Sequence, residues 1–257
     1  MVLPAFTCPI CSQPLERRAV SAVCLYCGVE DGPGEPGAPP PWRCPSGHYI
    51  CPECRSAQAS DVITRSVGHL DAWSPIRIAD LLMSHPAFRQ EAYGPDHHGI
   101  PAFAVLSALR GASLWDGSNA RILAAVRRAR SVPSGSCYLS GSCGACAAAG
   151  AAVSTVLGLD IRDRRRGEAL QAVALCTGSL ADTGGLRCCK EAVYASIQAV
   201  LKVLASSLAI PAELRESEVR CSFHSDLKDC KGPTCPYHPD HKPLRGAGSS
   251  FPEGARP

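Results

Sequence analysis

Cysteine is the residue type that could do chemistry here: the 257-residue sequence holds sixteen, unevenly placed. Seven lie in residues 8–54, none lies between Arg55 and Ser136, and nine run from Cys137 to Cys235. With one histidine, the first group forms four ligand pairs: Cys8/Cys11 in CPIC, Cys24/Cys27 in CLYC, Cys44/His48, and Cys51/Cys54. A Cys-x-x-Cys loop presents two sulfurs to one ion without strain, and zinc takes four thiolate or imidazole ligands in a tetrahedron. The eight ligands therefore predict two zinc sites. The spacing admits Cys8/Cys11 with Cys51/Cys54 and Cys24/Cys27 with Cys44/His48, or the crossed alternative. The segment is poor in large apolar residues, so bound metal would supply much of its folding free energy.

The later cysteines sit where helices should begin. SGSCYLSGSCGAC places Cys137, Cys143 and Cys146 in or beside a Gly/Ser loop that opens a helix of small residues. Unpaired N–H groups and positive potential at a helix N-terminus stabilise a thiolate and lower its pKa. GGLRCCKEAV repeats the device with Cys188 and Cys189. Adjacent helical residues point about 100° apart, so one of the two can face a site while the other packs. Cys143, Cys188 and Cys189 are thus candidate reactive thiolates, with His98 as a neighbouring proton shuttle or ligand. The alternative for His97 and His98 is a polar pair at a helix start with no ligand role. Cys176, inside an apolar helix, reads as a small hydrophobe.

CSFHSDLKDCKGPTCPYHPDH carries Cys221, Cys230 and Cys235, with His224 between them. Cys followed by Pro, as in TCP, recurs at iron–sulfur ligands. Three cysteines plus one ligand from elsewhere would complete a [4Fe–4S] cluster, while Cys221, His224, Cys230 and Cys235 would make a third zinc site. Cys137 and His97 join these cysteines as candidate cofactor ligands.

The elements that must position these residues read as helices. Apolar residues make up 46% and aromatics only 5%, so the core must come largely from Ala, Val and Leu, which suits close helix packing. DAWSPIRIADLLMSHPAF predicts a capped helix with Pro75 in its first turn and His85 at its end. GPDHHGIPAFAVLSALRGA gives a turn, the His97-His98 pair and an apolar run. GSNARILAAVRRARS puts Ile122, Val126 and Ala129 on one face and a solvated arginine set elsewhere. CGACAAAGAAVSTVLGL predicts a buried central helix. CCKEAVYASIQAVLKVLASSLAI carries a Val193, Ile197, Val200, Leu204 stripe. The fold expected is mainly α: a small two-zinc module over residues 1–60, a helical domain of five to seven helices over 61–242, and a disordered tail over 243–257. The Gly/Pro-rich GVEDGPGEPGAPPPWR reads as a surface loop inside the module.

Two resemblances bear on this plan. CPSGHYICPECR resembles the centre of a RING finger, particularly the seven-in-absentia type. A RING places a Cys pair after this centre, whereas here the extra pair, Cys24/Cys27, precedes it, so the module is RING-like or treble-clef-like and no ligase role is expected. Further on, LLMSHPAF, YGPDHHGIPAFAVLSAL, GSCYLSGSCGACAAAG, GLRCCKEAVY and CSFHSDLKDCKGPTCPYHP resemble, in order, a Cys-rich prokaryotic family catalogued as domain of unknown function 5714. That resemblance implies that His85, His97, His98, Cys137, Cys143, Cys188, Cys189, Cys221, Cys230 and Cys235 belong to a shared pattern. It implies no activity, and Tyr93 stands where the family usually has a His. CGACAAAGAAVSTVLGL alone is similar to small helical redox-type proteins.

The function expected is a metal-binding protein with structural zinc and a Cys/His centre for redox, sulfur or cofactor-related chemistry. The alternative is a non-enzymatic zinc scaffold that binds a partner protein or nucleic acid. The net charge of +3 is too small to argue for nucleic acid. No apolar run of membrane length and no basic-then-apolar leader occurs, so a cytoplasmic setting is expected. The tight Cys-x-x-Cys pairs suit a metal better than the disulfide framework of a secreted protein.

Overall fold

The computed structural model describes residues 7–18, 20–32, 41–89, 94–185, 188–215 and 218–241. Tyr93, the middle of the proline-rich loop and the tail expected to be disordered lie outside the described residues.

The N-terminal segment is built from very short strands. β1 (Glu16–Arg17) pairs antiparallel with β4 (Trp42–Arg43), and β2 (Ala22–Val23) pairs antiparallel with β3 (Glu30–Asp31). Helix α1 (Pro52–Arg55) follows, with Cys51 as its N-cap and Pro52 in its first turn.

The rest is helical, as the sequence pattern predicts. α2 (Ala59–Ser66) leads to α3 (Pro75–Ser84), whose Ser74 cap accepts from the Arg77 N–H at 3.3 Å. The helix stops at His85 because Pro86 disfavours a helical conformation at the residue before it. Pro86 also opens α4 (Pro86–Arg89). A 3₁₀ turn over Pro95–Gly99 feeds α5 (Ile100–Gly111), which is buried on every side from Ile100 to Leu109. Ser118 caps α6 (Asn119–Arg130), whose Ile122, Val126 and Ala129 face inward. The short α7 (Ser136–Leu139) precedes α8 (Gly144–Leu157), capped by Cys143. α9 (Arg166–Thr183) and α10 (Cys189–Leu204) complete the set.

Small residues decide the centre. α8 packs against α5, α6, α9 and α10, because Ala and Gly let helix backbones approach closely. At Gly150 a Cβ would stand 2.8 Å from Val173 Cγ2 on α9, too close for any side chain. Cys146 on α8 and Cys176 on α9 are joined as a disulfide across the same contact. Cys176 therefore does more than pack as the small hydrophobe its apolar setting suggests. On α10 the Val193, Ile197, Val200 and Leu204 stripe is wholly buried, each side chain contributing roughly 1.5–3 kcal/mol.

One core runs through both parts of the chain, joining Tyr26 and Cys54 of the cysteine-rich segment to Ile63, Phe103 and Val200. Two polar contacts fasten the segment to α3. The Tyr26 hydroxyl donates to Leu81 O at 3.0 Å, and His85 Nε2 lies 2.8 Å from Cys54 O. His85 Nδ1 accepts from the Ala87 N–H at 3.1 Å, which leaves the ring proton on Nε2, donated to the Cys54 carbonyl. Burial lowers the pKa of His85 and keeps that neutral form.

Candidate metal and thiol centres

The eight N-terminal ligands form two sets. Cys8, Cys11, Cys44 and His48 bring their ligand atoms within 4.8 Å of one another, and so do Cys24, Cys27, Cys51 and Cys54. Each set can hold a metal ion. The pairing is interleaved, the first pair with the third and the second with the fourth, and it overturns Cys8/Cys11 with Cys51/Cys54. Strand register is the reason. Pairing of Glu16–Arg17 with Trp42–Arg43 carries Cys44 to Cys11, whose sulfurs are 3.6 Å apart. Cys24 and Cys27 sit in the turn of the β2–β3 hairpin, and the Leu25 N–H donates to Tyr49 O at 3.0 Å, which sets that turn beside Cys51. The Cys27 and Cys51 sulfurs are 3.7 Å apart. A tetrahedral zinc with Zn–S bonds of about 2.3 Å spaces its ligands by about 3.8 Å, so both sets fit one ion each. His48 turns Nδ1 to its site, 3.4 Å from Cys44 Sγ.

Backbone N–H groups support the sulfurs. Cys51 N donates to Cys24 Sγ at 3.4 Å, Cys54 N to Cys51 Sγ at 3.4 Å, and His48 N to Cys44 Sγ at 3.3 Å. Burial pushes Cys8 and Cys51 up to about 12. At Cys24 burial also raises the pKa, but N–H groups of Cys27, Cys51 and Tyr26 outweigh it and the net shift is downward. Thiols held up in this way become thiolates when a cation compensates the charge.

The later cysteines gather around two adjoining cavities. The larger, of about 340 Å³, lies between the loops preceding α8 and the facing ends of α9 and α10. Its walls include His98, Cys137, Cys143, Cys188 and Cys189. That volume is in the range of small-molecule sites. Gly144, at the start of α8, makes room for His98: a Cβ there would stand 2.1 Å from His98 Nδ1. The smaller cavity is walled by Cys188, Cys221, Cys230 and Cys235, with His224, His238, Tyr194 and Tyr237. Of the candidate residues, Cys188 alone lines both.

His97 lines neither cavity. Its Nε2 lies 3.2 Å from Lys190 Nζ, and its ring packs edge-on against Phe88. Cys188 departs from the expected lowered pKa. Burial raises it, and the N–H groups of Glu191 and Lys190 at the helix start only partly offset that cost. Cys221 is pushed up to about 12 and Cys235 to about 11, again chiefly by burial.

Cysteine spacing gave no sign of the ion pair between the cavities. Lys231 Nζ lies 2.6 Å from Glu191 Oε2, with side-chain exposures of 6% and 2%. The Thr183 hydroxyl donates to Glu191 Oε1 at 2.7 Å. Both charged residues adjoin motif cysteines, in CCKE and DCKG, and charge set beside motif cysteines is the signal the sequence carries. Lys190 is fully buried, 4.8 Å over the Phe223 ring.

The family model described as "Family of unknown function (DUF5714)" matches residues 63–238. The chain belongs to this DUF5714 family. The matched span includes both cavities and every candidate residue from His97 to Cys235, and it leaves the two N-terminal ligand sets outside. No curated protein and no solved structure matches the chain. Among the described residues, no helix is long and apolar enough to cross a membrane.

Proposed function

We propose that this DUF5714 protein uses residues 1–60 as a two-zinc module and residues 61–242 as a helical domain built around an iron–sulfur and thiol centre for redox or sulfur chemistry. The observation that carries the reading is the convergence of seven cysteines on two adjoining cavities beside α10. Cysteines that only pack are small hydrophobes of the core, whereas five of these seven are only half-buried.

Cys221, Cys230 and Cys235 would hold a [4Fe–4S] cluster, and their donor chemistry fits one: soft sulfurs in an apolar pocket, with Pro236 stiffening the turn after Cys235. Such a cluster supplies one-electron transfer. The chain's own residues do the rest. His98 can hold or move a proton at the wall of the larger cavity. Cys137, Cys143 and Cys189 present sulfur to whatever enters it. The Glu191–Lys231 pair places charge between the cavities. Zinc held by Cys24, Cys27, Cys51 and Cys54 would brace the module against α3 through the Cys54–His85 hydrogen bond. A cytoplasmic setting keeps these thiols reduced, and the Cys146–Cys176 bridge, whose residues are 1% and 0% exposed, is shielded from reductants.

The test is metal analysis of the full-length protein purified without oxygen, beside a variant with Cys11 and Cys27 changed to alanine. Iron that survives in the variant while zinc falls supports the reading. Iron that disappears with the zinc assigns all metal to the module, and zinc alone in both favours a scaffold that binds a partner protein.

A further inference from the structure

The segment 221–235 brings three cysteines to an iron–sulfur site that takes four, and the structure indicates the missing one. We propose that Cys188, the N-cap of α10, is the fourth ligand, so that Cys188, Cys221, Cys230 and Cys235 hold a single [4Fe–4S] cluster between α10 and the C-terminal segment. This rests on the iron–sulfur reading above and names its ligand set.

Two observations carry it. All four sulfur-bearing residues wall one small cavity, closed by Tyr194, Leu227 and Tyr237. Backbone N–H groups also point at the sulfurs: Gly232 N donates to Cys230 Sγ at 3.4 Å, and Lys190 and Glu191 supply the α10 start at Cys188. Hydrogen bonds to the sulfurs tune such clusters.

The histidines in the same wall have a partner at Nδ1, so either would reach the site only through Nε2. His224 Nδ1 is 3.0 Å from Cys221 O, and His238 Nδ1 accepts from the Asp240 N–H at 3.1 Å. Each thiol loses its proton as its sulfur binds iron, and that ligation transfers no electron. Because Cys188 also lines the 340 Å³ cavity, its corner of the cluster is the one that borders the space where a small molecule would bind.

The experiment uses the full chain isolated without oxygen and reads iron, acid-labile sulfide and electron paramagnetic resonance. Wild type should carry about four irons and four sulfides per chain. Cys188→Ala should drop to about three irons, with the resonance of a three-iron cluster in the oxidised protein, or lose the cluster. Cys189→Ala, at the same helix start, should keep all four, so a general loss of fold would show in both. If Cys188→Ala does not fold, Cys188→Ser against Cys189→Ser makes the same comparison, with an altered spectrum expected only for the first. Four irons and an unchanged spectrum in the Cys188 variants would overturn the proposal, as would loss of an iron in His224→Ala or His238→Ala instead. Wild type without iron would fail the iron–sulfur reading itself, a result distinct from either.

Discussion

His85 Nε2 donates to the carbonyl oxygen of Cys54 at 2.8 Å, tying a cysteine of the second candidate metal set to the end of α3. The side chain that ends the helix also holds the backbone beside the metal site, and the Tyr26 ring meets the His85 ring edge-on at 4.9 Å. His85→Ala strands a buried carbonyl, and an unsatisfied group of that kind costs about 1–3 kcal/mol. Urea unfolding should show that loss together with easier chelator extraction of the second zinc. An unchanged midpoint and unchanged zinc retention would contradict the link.

The interleaved pairing has its own arithmetic. Cys11→Ala/Cys44→Ala removes two ligands from one set and should cost about one zinc per chain, whereas Cys11→Ala/Cys51→Ala damages both and should cost about two. Zinc quantitation separates the two results. The reverse pattern would restore Cys8/Cys11 with Cys51/Cys54.

Two glycines make a matched comparison. Gly144→Ala drives a methyl into the His98 ring, and the overpacking cost of about 1–3 kcal/mol exceeds the roughly 1 kcal/mol that alanine adds to a helix. Gly178, within α9, has nothing within 4 Å of its would-be Cβ, so Gly178→Ala should stabilise by about 0.4–1 kcal/mol. Thermal melts should move down for the first and up for the second. Equal shifts would show that His98 does not lie against α8.

Glu191 and Lys231 form a buried pair, and removing one partner leaves the other charged and desolvated. Glu191→Ala should therefore cost about 3–5 kcal/mol, while Glu191→Leu/Lys231→Met should recover most of that loss. A double-mutant cycle by denaturant unfolding reads the coupling. Additive losses would mean the pair is not formed.

What the sequence discloses is what depends on neighbours along the chain. Ser74-Pro75 announces α3, the Val193 to Leu204 stripe announces α10, and Cys-x-x-Cys loops announce the N-terminal ligands, because caps, helical period and chelate spacing are local. The interleaving escapes it because pairing follows the register of Glu16–Arg17 on Trp42–Arg43. The approach of Cys188 to Cys221 and the bond between Cys146 and Cys176 escape it for the same reason: each depends on how distant segments dock. The expected low pKa at Cys188 fails because burial outweighs a helix start, a balance that spacing cannot reveal.

The most direct measurement is the metal and sulfide content of the full-length protein purified without oxygen. A brown protein with about two zincs, four irons and four sulfides per chain is the expected result. A colourless protein carrying about three zincs and no iron would contradict it.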